Sequence, residues 1–443
     1  MNYSIPRILI SSPKSGGGKT LIASALGKAL VDKGYAVSMF KCGPDYVDPK
    51  LHKEITGNMG SNLDLFFNDE ELLKERFCKK SADTFSIIEG AMGFYDGMGG
   101  NTEINSAFCI SQCISSPVAL VVDSEGSSFS LCALIKGFLS FRENNIKAVI
   151  LNKCSASLFS VLKDTIEDEC KITVLGFIPK DEKLKVRNQK LGLSLDKKDE
   201  LDGVLCYLEE LINKNIDLDK LISIMKNAPQ LSISQKNNTA ENLSLNVSVA
   251  KDEAFSFCYE DNIRFLEDNG CNISFFSPLY DNEIPPDTDL CIFGGGYIEK
   301  MAKMLSENHN MLSSVKTFWE NGGAIIAEGS GFIYINDFMK DKNGNKLHFC
   351  KILDGRCKEE DRLVNFGYIN LFDNGENLVL KGHEFHYSSC TDDGNSFTAR
   401  RFRGQRSRKT VFYNERMFCG FPQFDFISNK DFFLRFLKNI KKK

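Results

Sequence analysis

The sequence predicts an α/β protein of two domains. Three observations carry that prediction. Short apolar runs alternate with helical periodicities over the first half, a polar stretch interrupts them at residues 227–245, and the alternation then resumes. Arg7–Ser11 reads as a strand, and residues 20–33 as a helix with Leu21, Leu26 and Leu30 among its apolar positions. Residues 36–41, Phe85–Glu89, 117–123, 148–152 and 174–178 read as further buried strands. Strands separated by helices form βαβ units, hence a mainly parallel sheet. A helical stretch follows at about 200–226, and the connector carries NAPQ and SQKNNTAEN. Asn246–Ala250, 289–293 and 323–327 read as strands of the second domain. The expected organisation is therefore 1–226, a linker over 227–245, and 246–443.

The 443 residues suffice for two or three cores. A net charge of −4, from 55 Lys+Arg against 59 Asp+Glu, argues against a nucleic-acid groove or an anionic membrane as partner. The 15 cysteines include no CxxC pair and no zinc spacing. Many, such as Cys132 and Cys291, lie in apolar runs, which predicts reduced core residues in a cytoplasmic protein. The start, MNYSIPRILIS, lacks the layout of a signal peptide, and no apolar run approaches the ~20 residues that span a bilayer.

Between the first strand and the first helix stand Ser15, Gly16, Gly17, Gly18, Lys19 and Thr20. Glycines let backbone N–H groups turn toward phosphate oxygens, and the helix N-terminus adds its positive end. Lys19 is placed to reach the β/γ-phosphates and Thr20 to ligate Mg²⁺, which predicts a P-loop for ATP. Pro13 stands where the strict pattern has Gly. Lys14, five residues before Lys19, is either a solvated loop lysine or one that reaches a partner's nucleotide in a homodimer.

Carboxylates cluster after the strands that follow. Asp45 and Asp48 lie in FKCGPDYVDP, Glu89 ends its strand in IIEGAMGFYDG with Asp96 seven residues on, and Asp123 ends VALVVD. Strand ends of a parallel sheet are where ligands bind. Carboxylates there either hold Mg²⁺ and orient an incoming group, or cap helices and turns. Asp45, Asp48, Glu89 and Lys19 are the catalytic candidates, with Thr20, Asp45 and Glu89 for the metal. Asn152, after VIL, suits either a nucleotide base or a strand-end turn.

Together these residues resemble the cobyrinic acid a,c-diamide synthase family, including its nickel-sirohydrochlorin branch. The matching blocks run through the chain: SGGGKT, FKCGPDYVDPKLH, Asn62 with Asp64, EGAMGFYDG and LGF-IP, then AKDEAFSFCYEDN, FFSPLYD, FGGGYIE and GHEFHYS. The resemblance implies a P-loop NTPase (dethiobiotin synthetase-like) parallel sheet followed by a class I glutaminase-like α/β domain. It implies an amidoligase that phosphorylates a substrate carboxylate with ATP and displaces the phosphate with ammonia. The implied substrate is a tetrapyrrole polycarboxylate.

The glutaminase half departs from the family. Its motif Ala-Glu-Cys-Gly-Gly is here Ala327-Glu328-Gly329-Ser330-Gly331, so Gly329 replaces the nucleophile and no thioester can form there. The His-x-His that supplies the base corresponds to a stretch, 421–426, with Gln423 and no His. Ser330 is one residue late on the elbow, and His383 and His386 belong to the separate GHEFHYS block. The expectation is a glutaminase-inactive domain and a ligase fed with ammonia or a partner-supplied amine. Gly294-Gly295-Gly296 is a remnant oxyanion hole or a tight turn. Gln189-Lys190-Leu191-Gly192-Leu193 replaces the family's Arg-His-Leu-Gly-Leu, and Ile298 replaces a Pro. The basic run from Arg400 to Lys409 either meets an acidic ligand or is a solvated loop. Two alternatives stand beside this reading: a ligase of the same fold for another acid or nucleophile, and a non-catalytic nucleotide-switch or carrier subunit.

Overall fold

The computed structural model describes the chain except residues 59, 185–187, 190–191, 194–197, 235–239, 403–406 and 442–443, and except the side chains of 188–189, 192–193 and 198–200. It divides into two compact units, Met1–Lys236 and Asn237–Lys443. Within the stretch read as a linker, Leu231–Ser232 pairs with Asn2–Tyr3 and so belongs to the first unit. Leu243 and Leu245 are buried in a core of the second.

The first unit holds seven parallel strands in the order Ser61–Leu63, Val37–Cys42, Phe85–Glu89, Arg7–Ser11, Val118–Asp123, Ile146–Asn152 and Thr173–Ile178. Every residue of Arg7–Ser11 is buried, as expected of a strand covered by helices on both faces. Strands that follow it in sequence run first to one side and then to the other. This switch in direction opens a crevice at the strand C-termini, where the loop of residues 15–20 leaves the sheet. The strand Ser61–Leu63 was not legible in sequence, being three residues long at a sheet edge.

The helical stretch expected at 200–226 is two helices, Lys198–Asn215 and Leu218–Lys226. Ile216 breaks away to bridge Gly176, and the Asp217 N–H donates to the Leu175 carbonyl at 2.8 Å. Gly176 permits this approach: a Cβ there would lie 2.0 Å from the Asn215 oxygen.

The second unit has a sheet ordered Asn272–Phe276, Asn246–Ala250, Leu290–Phe293, Ala324–Glu328 and Met417–Gly420, all parallel, with Phe412–Tyr413 antiparallel at its edge. Beside it stand a five-stranded antiparallel sheet containing Asn365–Phe372 and Leu378–His386, and a four-stranded one containing Arg356–Glu359 and Ser388–Cys390. Among the described residues no helix is long and apolar enough to cross a membrane.

Candidate active site

The phosphate cradle is built from backbone. Gly16 and Gly18 have φ of 74° and 87°, a region where a Cβ is strained. Gly17 must be bare for another reason, since a Cβ would sit 2.7 Å from the Ser12 hydroxyl. The helix Lys19–Asp32 starts immediately after and presents its N-terminus to the loop. Lys19 is buried, and its Nζ donates to Ser12 Oγ at 3.0 Å and to the Lys14 carbonyl at 3.3 Å. Burial, and then repulsion from Lys41, draw the Lys19 ammonium down to about 8. Both hydrogen-bond acceptors are neutral, so this buried cation suits an anionic ligand.

Beside the cradle Glu89 is the centre of a buried cluster. Thr20 Oγ1 donates to Glu89 Oε1. Lys41 Nζ donates to the same oxygen at 2.5 Å and lies 2.5 Å from Asp48 Oδ2. His52 Nε2 lies 3.0 Å from Glu89 Oε2. Lys41 and Glu89 are directly paired in neighbouring strands, which fixes their contact by register. Asp48 and His52 sit one turn apart on the helix Asp48–Thr56, so both face the sheet edge. Burial by itself would raise the Glu89 carboxyl, but Lys41 and then His52 outweigh it and hold Glu89 below the usual range. Asp48 goes the other way, pushed well above its usual range by burial and by the Glu89 and Asp45 charges. One ammonium thus serves two buried carboxylates, and Glu89 is the one that keeps its charge.

The other expected residues are placed differently. Asp45 turns Oδ1 to the N–H groups of Val47 and Asp48, at 2.8 and 3.0 Å, as a cap at the start of the helix Asp48–Thr56. Asn152 donates to the Gly17 carbonyl at 3.0 Å, which braces the cradle from the far side. Asp96 accepts the Gly93 N–H at 2.9 Å. Asp123 is held by Lys153 at 2.8 Å. Lys14 is exposed beyond its carbonyl.

In the second unit the strand Ala324–Glu328 ends in a sharp elbow at Gly329, with φ of 58°. A Cβ built on Gly329 would lie 2.9 Å from Gln423 Nε2 and 3.0 Å from its Cδ. Positions 329 and 423 therefore face each other, and neither carries a nucleophile or a base. Ser330 does not turn into this gap. Its hydroxyl accepts from the Gly296 N–H at 2.9 Å and lies 3.2 Å from the Gly296 carbonyl, which ties the triglycine turn to the elbow. Glu328 is buried and accepts from the Phe424 N–H; burial pushes its carboxyl well above the usual range. His383 is buried and drawn down to about 3 by that burial, and it pairs by register with Gln423. His386 stacks on Phe421 at 4.1 Å.

Comparison with known proteins agrees with both halves. Residues 8–192 match the CobQ/CobB/MinD/ParA nucleotide binding domain, and 246–419 the CobB/CobQ-like glutamine amidotransferase domain. The chain is 40% identical to the cobyrinate a,c-diamide synthase of Clostridium tetani, over 87% of this chain and 88% of that one. The chain belongs to the cobyrinate a,c-diamide synthase family. The enzymes of that name from Fusobacterium nucleatum (35% identity over 96% of this chain and 98% of the relative) and Listeria innocua (38% over 86% and 87%) are further relatives.

Within this member of the cobyrinate a,c-diamide synthase family, sequence reasoning missed Lys41 and His52 as parts of the site. The signal was present in FKCGPDYVDPKLH: a charged lysine within a buried, mainly apolar strand, and a histidine at i+4 from Asp48. The altered segment Gln189–Leu193 includes Lys190 and Leu191, which lie outside the described residues, as do its side chains. Of the basic run, residues 403–406 lie outside them as well. Arg400 pairs with Glu376 at 2.8 Å, Arg401 donates to Asn365, Arg408 contacts Glu384, and Lys409 reaches Asn374.

Proposed function

We propose that this chain is an ATP-dependent amidoligase that activates carboxylates of cobyrinate or a related tetrapyrrole acid as acyl phosphates, and that takes ammonia from solution or a partner rather than from glutamine. The observation that carries the reading is the Glu89 cluster beside the cradle, set against the facing pair Gly329 and Gln423. The buried Lys19, bonded only to neutral oxygens, fits ATP phosphates. The contact of the Thr20 hydroxyl with the Glu89 carboxylate fits Mg²⁺, which takes few protein oxygens and completes its shell with phosphate and water. Mg²⁺, when bound, would neutralise charge on the γ-phosphate.

In this reading the cradle N–H groups and Lys19 orient the triphosphate. A substrate carboxylate oxygen attacks the γ-phosphorus, the bond to the β-phosphate oxygen breaks, and ADP leaves. Ammonia then attacks the acyl carbon, phosphate departs, and the surplus proton passes to solvent. Lys41 holds Asp48 and Glu89 in place through both steps. Asp45 fixes the start of the helix that carries Asp48 and His52. The relatives' name supplies the tetrapyrrole class.

The test is ADP formation with Mg²⁺ and cobyrinic acid, with ammonium or glutamine as nitrogen source. Ammonium supports turnover and amide formation; glutamine alone gives background. Equal rates with glutamine would sink the assignment of Gly329 and Gln423 as inactive. ADP formation with neither source improved by cobyrinic acid would sink the substrate class.

A further inference from the structure

Two of the fifteen cysteines stand opposite one another in the second unit. Cys357 in the strand Arg356–Glu359 is the register partner of Cys390 in the antiparallel strand Ser388–Cys390. The backbone bonds fix which kind of pair this is. The Thr391 N–H donates to the Arg356 carbonyl and the Glu360 N–H to the Tyr387 carbonyl, so the ladder's hydrogen-bonded pairs fall at 356/391 and 360/387. Alternation makes 357/390 a non-bonded pair, the close kind, with Cα atoms about 4.5 Å apart and side chains on one face. That spacing lies inside the range a disulfide spans, roughly 4.4–6.8 Å. Both cysteines are free in this structure.

The two thiols differ as an attacking and a resolving group do. Cys390 Sγ donates to Asn336 Oδ1 at 3.9 Å; the neighbouring Cys357 draws the Cys390 thiol down and is itself pushed up, burial opposes this at Cys390, and the Asp392 N–H supports it. Cys390 is half-buried, while Cys357 is buried. Gly355 leaves the room the sulfur uses, since a Cβ there would lie 2.7 Å from Cys390 Sγ.

We propose that Cys357 and Cys390 are an oxidisable dithiol that closes to a reversible cross-strand disulfide by exchange with a low-molecular-weight disulfide such as oxidised glutathione. The Cys390 thiolate attacks one glutathione sulfur, that S–S bond breaks, and one glutathione thiolate leaves. Cys357 loses its proton to solvent and attacks Cys390 Sγ, which expels the second glutathione thiolate. The protein loses two electrons and two protons, and one glutathione disulfide becomes two glutathiones. The bond would pin the strand end next to Ser388, whose carbonyl accepts from His386 and whose hydroxyl donates to Glu299.

The test uses the full native chain with glutathione disulfide, followed by alkylation and peptide mass mapping. Two of the fifteen thiols are lost to alkylation, both in one cross-linked peptide pair holding 357 and 390, and dithiothreitol restores them. Cys132 and Cys170 are an internal comparison: they also approach each other, Cys170 Sγ lying 3.6 Å from the Cys132 carbonyl, but both are buried, and they stay alkylatable only after unfolding. C357S leaves glutathione trapped on Cys390, and C390S leaves Cys357 unmodified. Recovery of both thiols free, a stable glutathione adduct on Cys390 in the unsubstituted protein, or preferential linkage of another pair would overturn the proposal.

Discussion

The Glu89 cluster and the Gly329 elbow occupy the same kind of place, the C-terminal edge of a parallel sheet, and they have been filled in opposite ways. At the first edge Lys41, Asp48, His52 and Glu89 are all buried and in contact. Such a group is costly to desolvate, and apolar residues of like volume would often hold a sheet edge as well or better. Its presence therefore points to chemistry more than to stability. At the second edge the backbone turns sharply at Gly329, and the residues that face each other there are a glycine and a glutamine. The elbow itself is fixed by close packing around Gly329 and by the Ser330–Gly296 hydrogen bonds, so its shape does not depend on a reacting side chain.

The comparison can be broken first at Lys41. Lys41→Met leaves two carboxylates buried with no ammonium between them, and should lower stability by about 3–5 kcal/mol. Urea titration measures it, and a loss below about 1 kcal/mol would mean the cluster is wetter than the geometry implies. Glu89→Gln comes next. It keeps the shape of the cluster but removes the charge facing Thr20, and should cut ammonium-dependent ADP formation about 10²- to 10³-fold. Retention of full rate would remove Glu89 from the site.

The elbow predicts a smaller effect. Gly329→Ala places a Cβ in the left-handed region and against Gln423, for a loss of about 1–3 kcal/mol by thermal unfolding. Combining it with Gln423→Ala should recover part of that loss, since the crowding atom is gone. Neither variant should change ammonium-dependent turnover. Last, Lys19 near 8 is half neutral at that pH, and a bound phosphate favours its ammonium form. ATP binding should take up a fraction of a proton around pH 8, and affinity should fall as pH rises through that value. Calorimetry in buffers of different ionisation enthalpy reads this directly. The sign for the free protein is opposite: between about 8 and 10.5 the folded chain holds fewer protons than the unfolded one, so its stability rises with pH.

The first unit was largely legible because its strands are buried on both faces and read as continuous apolar runs, as in Ile8–Leu9–Ile10. The second was less so. Asn272–Phe276 has only one fully buried residue, Phe276, and the antiparallel strands Asn365–Phe372 and Leu378–His386 mix exposed and buried positions without strict alternation. At the site, Glu89, Asp48 and Thr20 were readable as polar groups at strand and helix ends. Lys41 was hidden inside a strand, and His52 within a short helix.

The sequence by itself determined the cradle, since glycines, Lys19 and Thr20 at a strand–helix junction leave the backbone few other uses, and it determined that Gly stands at 329 and Gln at 423. Only the tertiary structure decided what Glu89 touches. Residues 41, 52 and 89 are brought together by parallel strand register and one helical turn, distances that no spacing in the chain records. The same holds for Gly329 and Gln423, ninety-odd residues apart, which face each other because the strands Ala324–Glu328 and Met417–Gly420 pair in one sheet.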